Sequence, residues 1–362
     1  MKIVHVETGR HMYGGPQQVI YLCRGLLGRG IDSVIVCVSG SAIDSLARQH
    51  DIPVHNIPCG GDLDLVFAFR LRSYLQQQRP DLVHSHSRRG ADFFAGRAAS
   101  MAGVPAVLSR RVDSRESSLV AARRYSHYRK VIAISDNVAQ KLRESGLDHN
   151  RITCIRSAVD VDALAQACER RQWLHEFRLH DDHIVALIAA QLIGRKGHRF
   201  AFEAMPALCR AHPNFRLVVF GKGPLEPALR AQAAQLGIAD HVQFAGFRDD
   251  LDRLLGCADM LIHPAIREGL GVIMLKAAAA GLPVVAFDVA GAREAVLAGK
   301  TGLLARTADV PSLLQVMTQL VENPQERQKM GAAGQTRMRE SFSIEEMIDR
   351  HVSLYKSILH ER

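Results

Sequence analysis

The chain has 362 residues, 47% of them hydrophobic and 23% charged, which excludes a largely disordered protein and leaves room for two domains. The net charge is +9, and residues 1–172 hold 24 Lys and Arg against 16 Asp and Glu, so +8 of it lies in the first half. That asymmetry points to an anionic partner, either lipid headgroups, a phosphorylated glycan or nucleic acid; an aromatic content of 6% without a nucleic-acid module argues against the last.

The seven cysteines, at 23, 37, 59, 154, 168, 209 and 257, never show a C-x-x-C spacing. They suggest neither a disulfide framework nor a zinc site and fit a reducing cytoplasm. The opening MKIVHVE meets charge too soon for a signal sequence, and no apolar run approaches the ~20 residues of a membrane span. The expectation is a soluble cytoplasmic protein, or a peripheral one on the inner face of the membrane.

Taken in order, Ile3 to Glu7 is predicted as a strand, Thr8 to Gly15 as a loop, Gln17 to Leu27 as a helix closed by Gly28 and Gly30, and Ser33 to Val38 as a second strand. This βαβ opening lacks G-x-G-x-x-G, and no acidic residue closes its second strand, which disfavours a nicotinamide dehydrogenase. Gly14 and Gly15 either let backbone approach a ligand or form an ordinary loop. Asp81 to His86 reads as a strand with His84 and His86 on one face. No third ligand is close in sequence, so a metal is not expected.

Between Arg110 and Lys130, seven basic residues (Arg110, Arg111, Arg115, Arg123, Arg124, Arg129 and Lys130) face Asp113 and Glu116, with Leu119, Val120, Tyr125 and Tyr128 interleaved. The run is either a basic interfacial helix or a plain solvated one. Val131 to Ser135 is another strand, and a charged stretch from Glu169 to Asp182 marks a domain boundary.

The second half repeats strand and helix, with strands at 183–190, 216–220, 242–244, 260–263 and 284–287. The strand 260–263 feeds a loop with Arg267, Glu268, Gly269 and Gly271, and an Ala-rich helix follows until Gly281 and Pro283. The next strand opens into Gly291 and Glu294. Loops at the carboxyl ends of parallel strands offer free N–H groups and a helix dipole suited to phosphate, and Glu268 can accept from sugar hydroxyls. Ser343 to Glu346 is a capping box opening a last helix with an apolar stripe. The fold class is therefore α/β with parallel sheets.

Five blocks stand in an order that resembles the retaining glycosyltransferases of family 4 (glycosyl transferases group 1), whose fold is called GT-B. They are Gly14-Gly15, Gln191 to Gly197 (similar to G-R-L-x-x-x-K-G), Phe220 to Leu225, Val242 to Arg248, and the loop at Glu268. The resemblance implies two Rossmann-like domains facing across a cleft. Residues 1–170 would bind the acceptor and 171–342 the donor, while 343–362 would form a helix packing back on the first domain.

It also implies roles for single residues. Lys196, with Arg195, would hold the donor diphosphate, Gly15 would lie against it or the acceptor, and His86 would stand near the donor sugar. Gly221, Phe247 and Arg248 would line the nucleotide, and Glu268, Gly269, Leu270, Gly271 and Val272 would grip the sugar. Arg110, Arg111, Arg123, Arg124, Arg129 and Lys130 would face the acceptor or a membrane.

Two positions depart from the pattern: Gln191 stands where the family has Arg, and Lys276 stands where it has a second Glu that accepts from ribose. A lysine has three donors and no acceptor. Lys276 therefore points to solvent, or pairs with Glu268 or a donor phosphate, or marks a protein that has lost activity.

The implied reaction is metal-independent, retaining hexosyl transfer from a nucleoside diphosphate sugar to a glycan or glycolipid acceptor, without a cofactor, in lipopolysaccharide or other cell-surface polysaccharide synthesis. The alternatives are a catalytically impaired nucleotide- or glycan-binding protein and a nucleotide-sugar epimerase of the same fold.

Overall fold

The computed structural model describes residues 1–10, 14–86, 90–166 and 168–361. These form two compact units, Met1–Ala158 with Ile344–Arg362, and Val159–Ser343. Each is built on one wholly parallel sheet. Strands buried on both faces need near-continuous apolar runs, as in Ile184–Ala189 and Val284–Phe287.

In the first unit, β1 (Lys2–Glu7) leads through α1 (Gly14–Leu27) to β2 (Asp32–Cys37), then through α2 (Ala42–Gln49) to β3 (Val54–Asn56) and α3 (Leu65–Gln78). The chain then crosses to β4 (Leu82–Ser85), α4 (Ala91–Met101), β5 (Ala106–Arg110), α5 (Ser118–Tyr125), β6 (Lys130–Ala133), α6 (Asp136–Glu144) and β7 (Ile152–Cys154). The sheet order is β3-β2-β1-β4-β5-β6-β7. The first loop is shorter than expected because α1 begins at Gly14; its residues 11–13 lie outside the described residues. The basic run is not one helix: Ala106–Arg110 is a buried strand, and only Ser118–Tyr125 is helical.

The second unit runs α7 (Val161–Leu164), α8 (Arg170–Glu176), β8 (Ile184–Ala189), α9 (His198–Ala211), β9 (Phe215–Phe220), α10 (Glu226–Gln235), β10 (Val242–Gly246) and α11 (Leu251–Leu254). It continues with β11 (Met260–His263), α12 (Val272–Ala279), β12 (Val284–Phe287), α13 (Ala290–Ala295), β13 (Gly302–Ala305), α14 (Val310–Glu322) and α15 (Pro324–Ser341). Its order is β10-β9-β8-β11-β12-β13. The expected strands are all present, and β13, which the sequence reading missed, pairs with β12.

The boundary lies at Ala158, not at 170, because α7 packs against α12 and α15 of the second unit. The last helix, α16 (Ile344–His360), belongs to the first unit. There Met347, Ile348, Tyr355 and Ile358 join a buried cluster with Tyr21, Leu22 and Leu26 of α1.

One cysteine expectation is overturned. Cys168, ahead of α8, is disulfide-bonded to Cys257, 89 residues on, with Cα atoms 5.4 Å apart. The pairing joins segments remote in sequence, so no local spacing announced it. Among the described residues, no helix is long and apolar enough to cross a membrane.

Candidate functional site

In the second unit, the loops after β8 and β11 meet. Gly194–Lys196 forms a short 3-10 turn, and Ile266 N–H donates to the Arg195 carbonyl at 3.0 Å. Gly197 follows at φ +71°, where a Cβ would collide with the Pro264 carbonyl, so glycine is needed for this approach. Gly291 plays the same part from α13: a Cβ there would strike the backbone of Glu268 and Gly269.

The close approach brings Lys196 Nζ into an ion pair with Glu268 Oε2, both side chains being only 13% and 12% exposed. His263 Nε2 lies 3.0 Å from the same oxygen, and Gly269 N–H donates to Oε1 at 3.2 Å. A carboxylate only accepts, so His263 carries its proton on Nε2.

Burial opposes ionisation of Glu268, but the His263 hydrogen bond and the charge of Lys196 outweigh it and hold the carboxyl well below the usual range. His263 is itself pushed down by burial, with Glu268 opposing. The neighbouring His198 falls to about 4 through burial and the proximity of His263 and Lys196. The buried ion pair is thus one anion and one cation, with neutral imidazoles behind it. Gly271, at φ +70°, opens α12, so Leu270, Gly271 and Val272 line the start of that helix.

Other candidates of the second unit fall differently. Gln191 and Gly221 lie where the loops after β8 and β9 zip together, Ala190 N–H donating to Phe220 O and Leu192 N–H to Lys222 O. Arg195 is exposed beside Lys196, and Phe247 is exposed at the end of β10. Arg248, expected to line the nucleotide, is held by two carboxylates, pairing with Glu176 and, at 2.6 Å, with Asp250. Lys276 is half-buried and does not pair with Glu268. Its ammonium donates to both oxygens of Asp252 at 2.8 and 2.7 Å, a partner the sequence reading did not name.

In the first unit, β1 lies beside β4 with His5 opposite His84, and this register builds a buried histidine cluster. His5 Nδ1 is 3.0 Å from His86 Nε2, and the His84 and His86 rings lie tilted against each other with centroids 3.7 Å apart. His84 is held by Tyr355 OH of α16 at 2.6 Å and by Ser109 Oγ at 2.8 Å. Burial, then the neighbouring His5 and Arg111, keep His86 neutral. Its Nδ1 is buried without a hydrogen-bond partner among the described residues, which suits a donor or acceptor toward a ligand hydroxyl.

The third imidazole that sequence spacing lacked comes from β1: nitrogens of His5, His84 and His86 lie within 4.8 Å of one another. Arg111 stands beside them, its pKa lowered to about 10 by burial with Glu7 opposing. Its side chain also lies against the Gly15 start of α1, where a Cβ would come within 3.2 Å of Arg111 Cδ. A guanidinium and a helix N-terminus make these surroundings better suited to an anion than to a metal.

Of the six basic residues expected on the surface, Arg111 is half-buried beside the histidines, and Arg110 and Arg124 are buried. Arg124 pairs with Asp92, and Arg110 and Arg124 converge on Glu116 at 3.3 and 3.2 Å, a carboxylate that also accepts from Tyr125 OH at 2.7 Å. They hold α4, α5 and β5 together. Arg123 and Arg129 remain exposed, and Lys130 Nζ donates to Asn150 O at 2.7 Å.

Two family models match, Glycosyltransferase Family 4 over residues 13–163 and Glycosyl transferases group 1 over residues 169–337. A GDP-mannose-dependent alpha-(1-6)-phosphatidylinositol monomannoside mannosyltransferase of Mycolicibacterium smegmatis is 32% identical over 244 residues, covering 65% of this chain and 61% of the relative. This chain thus spans about three-fifths of that protein's length. The crystal structure of Anabaena HepE with UDP superposes with a TM-score of 0.87 at 19% identity, over 99% of this chain and 100% of that one. The structure of WaaG, a glycosyltransferase involved in lipopolysaccharide biosynthesis, gives 0.73 at 16% over 98% and 99%. The matches cover both units in sequence order, and the paired Rossmann-like sheets have the GT-B fold. The chain belongs to the group 1, family 4 glycosyltransferases.

Proposed function

We propose that this protein is a retaining glycosyltransferase that moves a hexosyl group from a nucleoside diphosphate sugar to a glycan or glycolipid acceptor without a metal. The observation that carries the reading is the Lys196–Glu268 pair, set at strand ends beside the start of α12. When the glycosidic bond to the diphosphate breaks, its electron pair goes to the leaving phosphate oxygen, and a fixed ammonium stabilises the charge that grows there. Glu268, held ionised, orients sugar hydroxyls by accepting from them. The acceptor hydroxyl adds to the anomeric carbon and gives its proton to the departing phosphate, so no separate basic side chain is required.

The lipid-linked acceptor in the relative's name supports a glycolipid acceptor here, and with it a role in cell-surface glycan synthesis. The test is slow donor hydrolysis with UDP-, GDP- and ADP-sugars, with and without chelator. Turnover of one donor that chelator leaves unchanged is expected; turnover that chelator abolishes would overturn metal independence.

A second reading, a non-catalytic nucleotide- or glycan-binding protein, draws on Lys276 being clamped by Asp252 where the family carries a ribose acceptor. Nucleotide binding with no turnover of any donor would select it.

A further inference from the structure

We infer that the first unit docks on an anionic lipid surface through the apolar starts of α3 and α5. The face that α3 turns to water should be polar along its length. It is polar only later, at Ser73, Gln76 and Gln77; in the first two turns the exposed positions are Leu65, Val66, Phe69 and Arg70. Leu63, just ahead of the helix, is 92% exposed and Phe69 57%. The opposite side, Phe67, Ala68, Leu71, Tyr74 and Leu75, is buried as usual. At the start of α5, Leu119 is 86% exposed, with Val120 beside it. These six are the large exposed hydrophobic residues of the first unit among its described residues.

Topology puts both groups on one side. From β3 the chain crosses to β4 and then moves steadily outward to β5 and β6. Right-handed crossovers therefore place α3, α4 and α5 on the same face of the sheet, and α4 packs against both of the others. Each helix starts at the carboxyl edge of the strands, so the two apolar tips flank α4, separated by roughly 20 Å at the usual ~8–10 Å helix spacing.

Charge selects the partner. The first unit holds 25 Lys and Arg against 17 Asp and Glu, a net +8. Arg70, Arg97, Arg115, Arg123 and Arg129 are exposed on these helices and the segments flanking them. Asp62 is the exposed acid among their described residues; Asp64, Asp92, Asp113 and Glu116 are partly or wholly buried. Protruding apolar side chains ringed by guanidinium groups match the boundary between acyl chains and anionic headgroups. A second copy of the chain would set one cationic face against another across a two-fold axis. The inference extends the glycolipid reading but stands on residues separate from the transfer site.

The test is co-sedimentation of the full chain with phosphatidylcholine vesicles with and without phosphatidylglycerol. Binding that needs the anionic lipid is expected. The triple variant Leu63→Ser, Leu65→Ser, Phe69→Ser should bind at least tenfold more weakly with an unchanged thermal midpoint, since all three side chains already face water. Arg123→Glu should cost about fivefold or more at low salt. No binding by the parent chain, or binding that the triple variant retains, would overturn the proposal. So would parent self-association that the triple variant abolishes, which would make the patch a contact between copies. Donor hydrolysis, measured on the same samples, reports separately on the transferase reading.

Discussion

Glu268 lies 72 residues from Lys196 in sequence, yet the two meet as the cation and anion of the candidate site. Replacing it by Gln keeps the shape and removes the charge, so Lys196 and His263 lose their anionic partner. Loss of a charged hydrogen-bond partner costs about 1.5–3 kcal/mol, which predicts a ten- to hundredfold fall in donor turnover for Glu268→Gln with the fold intact. Near-normal kcat/KM in a donor hydrolysis assay would remove Glu268 from the mechanism. The buried Arg110 and Arg124 behave otherwise. Their charges are spent on Glu116 and Asp92, so they belong to the packing of α4 and α5, and the cationic surface is made by Arg115, Arg123 and Arg129 instead.

At the scale of elements, the histidine cluster joins β1, β4 and α16, and it makes the first unit sensitive to acid. Burial lowers His5 to about 3, with His351 adding to the shift, and lowers His351 to about 4. An unfolded histidine titrates near ~6.5. Between these values the unfolded chain binds protons that the native one refuses, so stability is complete above ~6.5 and falls as pH drops toward 4. Each histidine contributes up to about 1.4 kcal/mol per pH unit. The urea midpoint of the first unit should therefore be clearly lower at pH 5 than at pH 7.5, and His351→Gln should flatten the slope. Equal midpoints at the two pH values would contradict the buried, neutral assignment.

For the whole molecule, the chain order of the two units matters more than any one contact. The first unit is made of two separated stretches, and α16 closes its core with Met347, Ile348, Leu354, Tyr355 and Ile358. Burying five such side chains is worth roughly 7 kcal/mol or more, comparable with the entire stability of a domain at about 5–15 kcal/mol. A chain ending at Ser343 should lose cooperative unfolding of the first unit and keep that of the second, as read by hydrogen exchange. Unchanged protection of β1 and β4 in that truncation would show that the first unit does not depend on α16.

Local chemistry made much of this legible. Apolar runs bounded by glycine and proline mark Met260–His263 and Val284–Phe287 to the residue, because strand burial and turn chemistry act over a few neighbours. The strand-end loops that carry Lys196 and Glu268 were placed for the same reason, while the roles expected of the two residues came from the family resemblance. Tertiary structure alone decided the partners. Sheet order sets β1 against β4 and so adds His5 to His84 and His86. Packing of α4 on α5 turns Arg124 inward to Asp92, α11 brings Asp252 to Lys276, and segments 89 residues apart unite Cys168 with Cys257. Such pairings depend on which elements lie side by side, and periodicity along the chain carries no record of that.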